Sequence, residues 1–308
     1  MMVTAVPVAP AGSAPAPPVA PAGSAPAFWA MPVWGDIVVA LDGSPQSRGA
    51  LAWAAGLASI TKSRIRLVHA LASPSTGIGG ATRRVVRLHG RRLLRAARSE
   101  LFALDPEISV DSILTDDAIA SVLGALSHTA DLIVIGGHAS GAVRDVLFGR
   151  HATRIVDEAT CPVLVWRAQD KDSLPRSPVV VGVDHSDSCS RAIDAAFWFA
   201  DALEVPLTAL HVGSPHRRPA AKDTELEQIR TLDWLRERVG AASAAHPAVD
   251  VHLHVLDSSA EHELRVASAT AHLLVVGSSE HCTWAGPRPG PVERSLIHNS
   301  GGPVLLVR

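Results

Sequence analysis

The chain of 308 residues contains no tyrosine and only three cysteines, Cys161, Cys189 and Cys282. An odd number of widely spaced cysteines without a Cys-x-x-Cys pair excludes a disulfide framework and a thiolate zinc site, and points to a reduced, cytoplasmic compartment. No apolar run reaches the roughly 18 residues that a membrane-spanning helix needs. Charge is missing before Asp36, and the ten residues Pro7 to Ala16 (PVAPAGSAPA) return as Pro18 to Ala27. With so few bulky side chains, residues 1–34 cannot bury enough surface to offset their ordering entropy, and they read as a disordered tail. A secretory signal is disfavoured there, because a basic start is lacking and prolines interrupt any apolar segment. Catalytic signatures are also absent: there is no Gly-x-Ser-x-Gly elbow, P-loop or His-Glu-x-x-His. Fifteen histidines are present, and His252 and His254 share one face of a strand, but no third ligand has recognisable spacing, so no metal is expected.

What the chain does contain is a long repeat. The apolar run ending in Asp42 returns in the run ending in Asp184. Asp131-Leu-Ile-Val-Ile-Gly136 returns as His272-Leu-Leu-Val-Val-Gly277, Gly149 as Gly290, and Cys161-Pro-Val-Leu-Val165 as Gly302-Pro-Val-Leu-Leu306, all at one common offset. Landmarks in one order at one spacing mean two copies of one domain. They span residues 36–167 and 178–308, with a polar linker at 168–177. Val/Ile/Leu runs without alternation mark strands covered on both faces, hence parallel sheets flanked by helices. Strands are expected at 37–41, 64–70, 107–114, 132–136 and 162–166, and helices near 45–60, 81–103, 117–129 and 149–158. In the second copy the strands fall near 179–184, 206–212, 249–256, 272–276 and 303–307, with helices near 188–203, 223–240, 259–270 and 291–299.

In open parallel sheets, ligands bind beyond the carboxyl ends of the strands, where the winding reverses. The residues there are Asp42, Gly43 and Ser44 after the first strand, and Gly136, Gly137, His138 and Ala139 after the fourth. A loop then leads to Gly149 and Arg150, read as the start of a helix whose free N–H groups suit a phosphate. On these residues the chain resembles the tandem universal stress proteins, over everything but the tail. The resemblance implies a Rossmann-like, nucleotide α-hydrolase-like fold with strand order 3-2-1-4-5, and final strands that pair across a pseudo-twofold axis. It also implies ATP as the ligand, with the Asp near the adenosine and a Gly-x2-Gly-x9-Gly-Ser/Thr pattern around ribose and phosphates.

The first copy supplies Asp42, Gly136 and Gly149 but departs from that pattern at Ala139 and Arg150. The extra methyl crowds the phosphates, whereas the guanidinium offers them a cation. In the second copy, Asp184, Gly277 and Gly290 are kept, but Glu280 and Pro291 replace the second glycine and the Ser/Thr. A carboxylate about 4 Å from a phosphate charge costs about 4 kcal/mol at an effective dielectric near 20, and Pro291 deletes a donor. This degenerate second site is expected not to bind triphosphates. A plainer role is open for Asp42 and Asp184, as caps of the helices next in the chain.

The halves also differ in charge. Residues 36–167 carry 15 Lys and Arg against 12 Asp and Glu, and residues 178–308 carry 11 against 16. Arg84, Arg87, Arg91, Arg95 and Arg98 fall on one helical stripe, about 120° from the core-facing one. Such a stripe serves an anionic partner, docks on the acidic second half, or is simply solvated; without interleaved aromatics, nucleic acid is disfavoured. The expected function is a cytoplasmic, non-catalytic stress-response sensor or adaptor acting through nucleotide occupancy. Two alternatives stay open: a nucleotide-free scaffold for protein partners, and an ATP-hydrolysing or adenylating enzyme.

Overall fold

The first strand, β1 (Asp36–Ala40), carries Ile37, Val38 and Val39 with no solvent exposure. A strand apolar on both faces must be covered on both, and that requirement organises each half. The computed structural model describes residues 35–71, 80–137, 145–169, 177–186, 188–213, 224–278, 281–283, 286–288 and 290–308; within these, it leaves the side chains of 80–82, 145–151, 224–225, 281–283 and 286–288 undescribed. The tail at 1–34 and most of the linker, residues 170–176, therefore lie outside the described residues.

After β1 come α1 (Pro45–Thr61), β2 (Arg64–Ala70), α2 (Gly80–Leu104), β3 (Val110–Thr115), α3 (Ile119–Leu126), β4 (Leu132–Gly136), α4 (Asp145–Glu158) and β5 (Val163–Trp166). The second half runs β6 (Val179–Gly182), α5 (Ser188–Ala202), β7 (Leu207–Gly213), α6 (Thr224–Ala245), β8 (Val251–Asp257), α7 (Ala260–Thr270) and β9 (Leu273–Gly277). A short hairpin, β10 (His281–Thr283) with β11 (Gly286–Arg288), precedes α8 (Pro291–Asn299) and β12 (Val304–Val307). The strands lie in the order β3-β2-β1-β4-β5-β12-β9-β6-β7-β8. Each half is thus a parallel sheet of order 3-2-1-4-5, α/β with helices on both faces, as the resemblance implied.

The two sheets are one. Strands β5 and β12 pair antiparallel, with Leu164 opposite Leu305 and Val163 opposite Leu306. Period-two alternation then sorts side chains between two continuous layers: Ile37 and Val39 face the layer of α1, α2, α5 and α6, while Val38 faces that of α3, α4, α7 and α8. Two arginines straddle the seam at equivalent positions of the repeat. Arg167, after β5, donates from Nη2 to the carbonyls of Ile297 and His298, each at 2.8 Å. Arg308, after β12, donates to the carbonyl of Val156. A guanidinium at the last carbonyls of a helix satisfies orphan acceptors and complements the helix dipole. The side-chain amide of Gln169 adds bonds to the carbonyls of Ser268 and Ala271, anchoring the start of the linker on the second half.

Several boundaries differ from the sequence expectation. Strand β3 begins at Val110 instead of 107, because Asp105 accepts the N–H of Glu107 and turns the chain first. Helix α3 is shorter at both ends, and the β10–β11 hairpin has no counterpart in the periodicity. Most consequential, α4 begins at Asp145. Gly149 and Arg150 therefore sit in its second turn rather than at its N-terminus; an acidic residue suits a first turn, and an internal glycine costs only about 1 kcal/mol.

Candidate functional site

Because β1 and β4 are adjacent and parallel, the residues just beyond them meet at one end of the sheet. Asp42 Oδ1 accepts the N–H of Ser44 at 2.8 Å, and Ser44 Oγ accepts the N–H of Ser47 at 3.1 Å. The α1 cap is thus Ser44, and Asp42 braces the turn before it. Gly43 has φ +85°, which only glycine adopts without strain, and a methyl there would also meet Leu93 at 2.8 Å. Gly136 ends β4 directly under the start of α1: a Cβ would stand 2.7 Å from backbone atoms of Gln46 and Ser47. That glycine is required by packing, whatever else it does. Gly137 is buried and bonds to Trp166 O at 2.7 Å.

The structure therefore brings Asp42, Gly43, Ser44, Gly136 and Gly137 together at the switch point. His138 and Ala139 lie outside the described residues, as does Glu280 of the second half. Gly149 and Arg150 belong to α4, and nothing is described of the Arg150 side chain.

The second half repeats the arrangement with different fittings. Asp184 Oδ1 accepts from Ser186 N at 3.0 Å and from Ser186 Oγ at 2.5 Å. Gly290 is the N-cap of α8 and Pro291 its first residue, as the sequence indicated. Beyond the ends of β6, β7 and β9 lies a cavity of about 310 Å3, with Val183, Leu210, Leu264 and Val276 among its walls, and Asp184, Gly277 and Glu293 also lining it. Glu293, 4% exposed, is a site residue that sequence reasoning missed. Its Oε2 accepts the N–H of Gly290 at 3.0 Å and the hydroxyl of Ser278 at 3.3 Å, so the first free donor of α8 is satisfied from within the chain. A Glu two residues after an N1 proline was the signal available. In the first half Ala152 holds the equivalent position of the repeat.

Two histidines buttress the strand ends in the same way: His69 Nδ1 lies 2.6 Å from Leu41 O, and His211 Nδ1 2.8 Å from Val183 O. In the second half His211 and His185 pack on Trp234, with ring centroids 5.0 and 4.2 Å from it. Where His185 and Trp234 stand, the first half has Gly43 and Leu93. The thiols of Cys161 and Cys189 are poor nucleophiles; burial pushes Cys161 up to about 12 and raises Cys189 as well. Among the described residues no group of three or more His, Cys, Asp or Glu side chains is placed to hold a metal ion, and no helix is long and apolar enough to cross a membrane.

All five arginines of the α2 stripe are exposed. Arg87 pairs with Asp116 at 2.9 Å, as does its neighbour Arg83 at 3.4 Å, and Arg98 lies over the Phe102 ring at 5.2 Å. These ion pairs are made within the first half.

Fold and strand-end geometry together define a tandem α/β protein whose two halves each bring their first and fourth strand ends together at a switch point. The chain belongs to the universal stress protein family, whose model matches it twice, over residues 34–167 and 175–308. It is 29% identical over 297 residues to the universal stress protein Rv2623 of Mycobacterium tuberculosis, spanning 88% of this chain and 96% of that one. A relative from Mycolicibacterium smegmatis is 28% identical over 288 residues, with the same coverage. Among solved structures, a universal stress protein from Archaeoglobus fulgidus shares the fold with a TM-score of 0.68 at 15% identity, over 89% of this chain and 96% of that one.

Proposed function

We propose that the chain is a cytoplasmic, non-catalytic stress-response sensor or adaptor whose first half binds ATP or a related nucleotide and whose second half does not take phosphate. The observation that carries this reading is the contrast between the two switch points. In the second half, the helix N-terminus that would receive a phosphate is occupied by the chain's own Glu293. In the first, Asp42, Gly43 and Ser44 stand beside Gly136 and Gly137, and the repeat position of Glu293 is Ala152, inside α4 and without a carboxylate. Supplied by Arg150, a guanidinium takes over from the family hydroxyl as phosphate anchor. The buried, raised thiols of Cys161 and Cys189 support a binding role over covalent catalysis.

A second reading, a nucleotide-free scaffold, is favoured by one surface. Helix α2 exposes its arginine stripe alongside Val85 and Leu88, which are 65% and 48% exposed, a combination suited to an acidic protein partner.

Mass analysis of gently purified protein for co-bound ATP, ADP or AMP, followed by calorimetric titration with ATP, separates the two. Binding that weakens on Arg150→Ser and tightens on Ala139→Gly is the expected result. No nucleotide carried, and no heat or thermal shift with millimolar ATP in the parent or in either variant, leaves the scaffold.

A further inference from the structure

We infer that the cavity over β6, β7 and β9 is a binding site in its own right, for an uncharged nucleoside without phosphate, and that Glu293 sets this choice. This rests on the reading that the strand-end clefts of the chain are nucleotide sites, and it assigns the second one a different ligand. Small-molecule sites are commonly apolar hollows of about 300 Å3 and upward with a few placed polar groups. The cavity, of about 310 Å3, is at the small end of that range, with aliphatic walls and two carboxylates, Asp184 and Glu293, on its lining.

The phosphate end of such a cleft is closed by three features. Glu293 Oε2 takes the Gly290 N–H and the Ser278 hydroxyl that an anion would use. Pro291 has no N–H to give. The carboxylate, 4% exposed, would face the incoming phosphate in a poorly solvated place, where like charges repel strongly. The remaining part of the cleft is unharmed by these changes. Its aliphatic walls suit a flat heterocycle, and carboxylate oxygens accept hydrogen bonds from hydroxyl and amine groups, which a nucleoside has and a phosphate lacks.

Glu293 also caps α8, so the test must separate charge from capping. Glu293→Gln keeps an acceptor at the same place, since Gln serves in capping boxes as Glu does, while removing the charge. Full-length protein with 13C-labelled Leu and Val methyl groups would be titrated with adenosine, AMP and ATP in both forms, and reported by Val183, Leu210, Leu264 and Val276. In the parent, adenosine should shift these methyls at concentrations at least tenfold below those needed for AMP, and in the Gln variant that ratio should fall to near one. The inference is overturned if AMP equals adenosine in the parent, if the ratio survives the substitution, or if adenosine leaves the methyls unmoved. Leu41 and Val134 report the first half in the same spectra. Their response to ATP, with the second cavity silent to adenosine, sinks this inference alone, whereas silence at both ends sinks the nucleotide reading with it.

Discussion

The two halves have the same skeleton and different ends. Lys62 and Glu204, at equivalent positions of the repeat, both take left-handed backbone after their helices, and His69 and His211 brace the same strand ends. At the strand ends, likeness of form stops: where one half has Gly43, Leu93 and Ala152, the other has His185, Trp234 and Glu293. Scaffold positions answer to a packing requirement identical in both copies, whereas the strand-end positions lie outside that requirement, and here they have diverged.

The largest effect should come from cutting the shared seam. Replacing Arg167 by Ala removes two charged hydrogen bonds and strands the carbonyls of Ile297 and His298, at a cost of about 3 kcal/mol in urea unfolding. Arg308→Ala, which removes the bond to Val156 O, should cost about half that; equal costs would show that the two arms do equivalent work. Next is Gly136→Ala. Its methyl meets rigid backbone of α1 at 2.7 Å, while the same change at Gly277 meets Ser188 at 2.9 Å or more. Overpacking of this kind costs about 1–3 kcal/mol, and the first site should lie at the upper end and the second at the lower. A methyl tolerated at Gly136 would mean that α1 can retreat from β4, loosening the first cleft. Glu293→Ala should cost about 1 kcal/mol through the lost cap, against almost nothing for Ala152→Ser in the other half.

Acid should weaken the second half more than the first. Burial holds His254, His272 and His298 below their ordinary value of 6.5, with His252 adding to it for His254 and Arg167 for His298. The unfolded chain then binds protons that the folded one resists, so stability is unchanged well above pH 6.5 and falls as pH drops through it. Thermal unfolding at pH 7.5 and 5.5 should show the loss, and His298→Gln should reduce it. Asp194, raised by burial, acts in the opposite sense, but only at lower pH. The smallest effect belongs to the arginine stripe: Arg91→Glu with Arg95→Glu should change stability by less than about 0.5 kcal/mol while abolishing retention on a polyanion matrix. A drop in stability instead would mean that α2 leans on those charges for its own packing.

Much of the fold is legible in the sequence because it depends on periodicity. Strands such as Ile37–Val39 and Leu132–Ile135 are apolar throughout, and that pattern has few solutions. Doubling of the landmarks gives the tandem plan, and the family resemblance supplies the strand order. The cleft is less legible. By residue type Asp42 is a candidate cap, yet Ser44 performs that task, because capping is decided by which oxygen reaches an N–H. By spacing Gly149 and Arg150 stand at a helix start, but Asp145 to Phe148 are as helical as the rest of α4. For Glu293 the local part, a capping box onto Gly290 N–H, is foreshadowed by the proline two residues before it, but the bond from the Ser278 hydroxyl joins residues fifteen apart and no local pattern encodes it.

The antiparallel junction of β5 with β12 has a consequence for how such a molecule can change over time. Two identical subunits joined by the same strands would receive every substitution in duplicate, so an advantage in one cleft would be imposed on the other. Within a single chain each position mutates alone. The junction keeps the paired architecture, and covalent linkage frees its members to specialise; a carboxylate can close one helix end at residue 293 without ever appearing at residue 152.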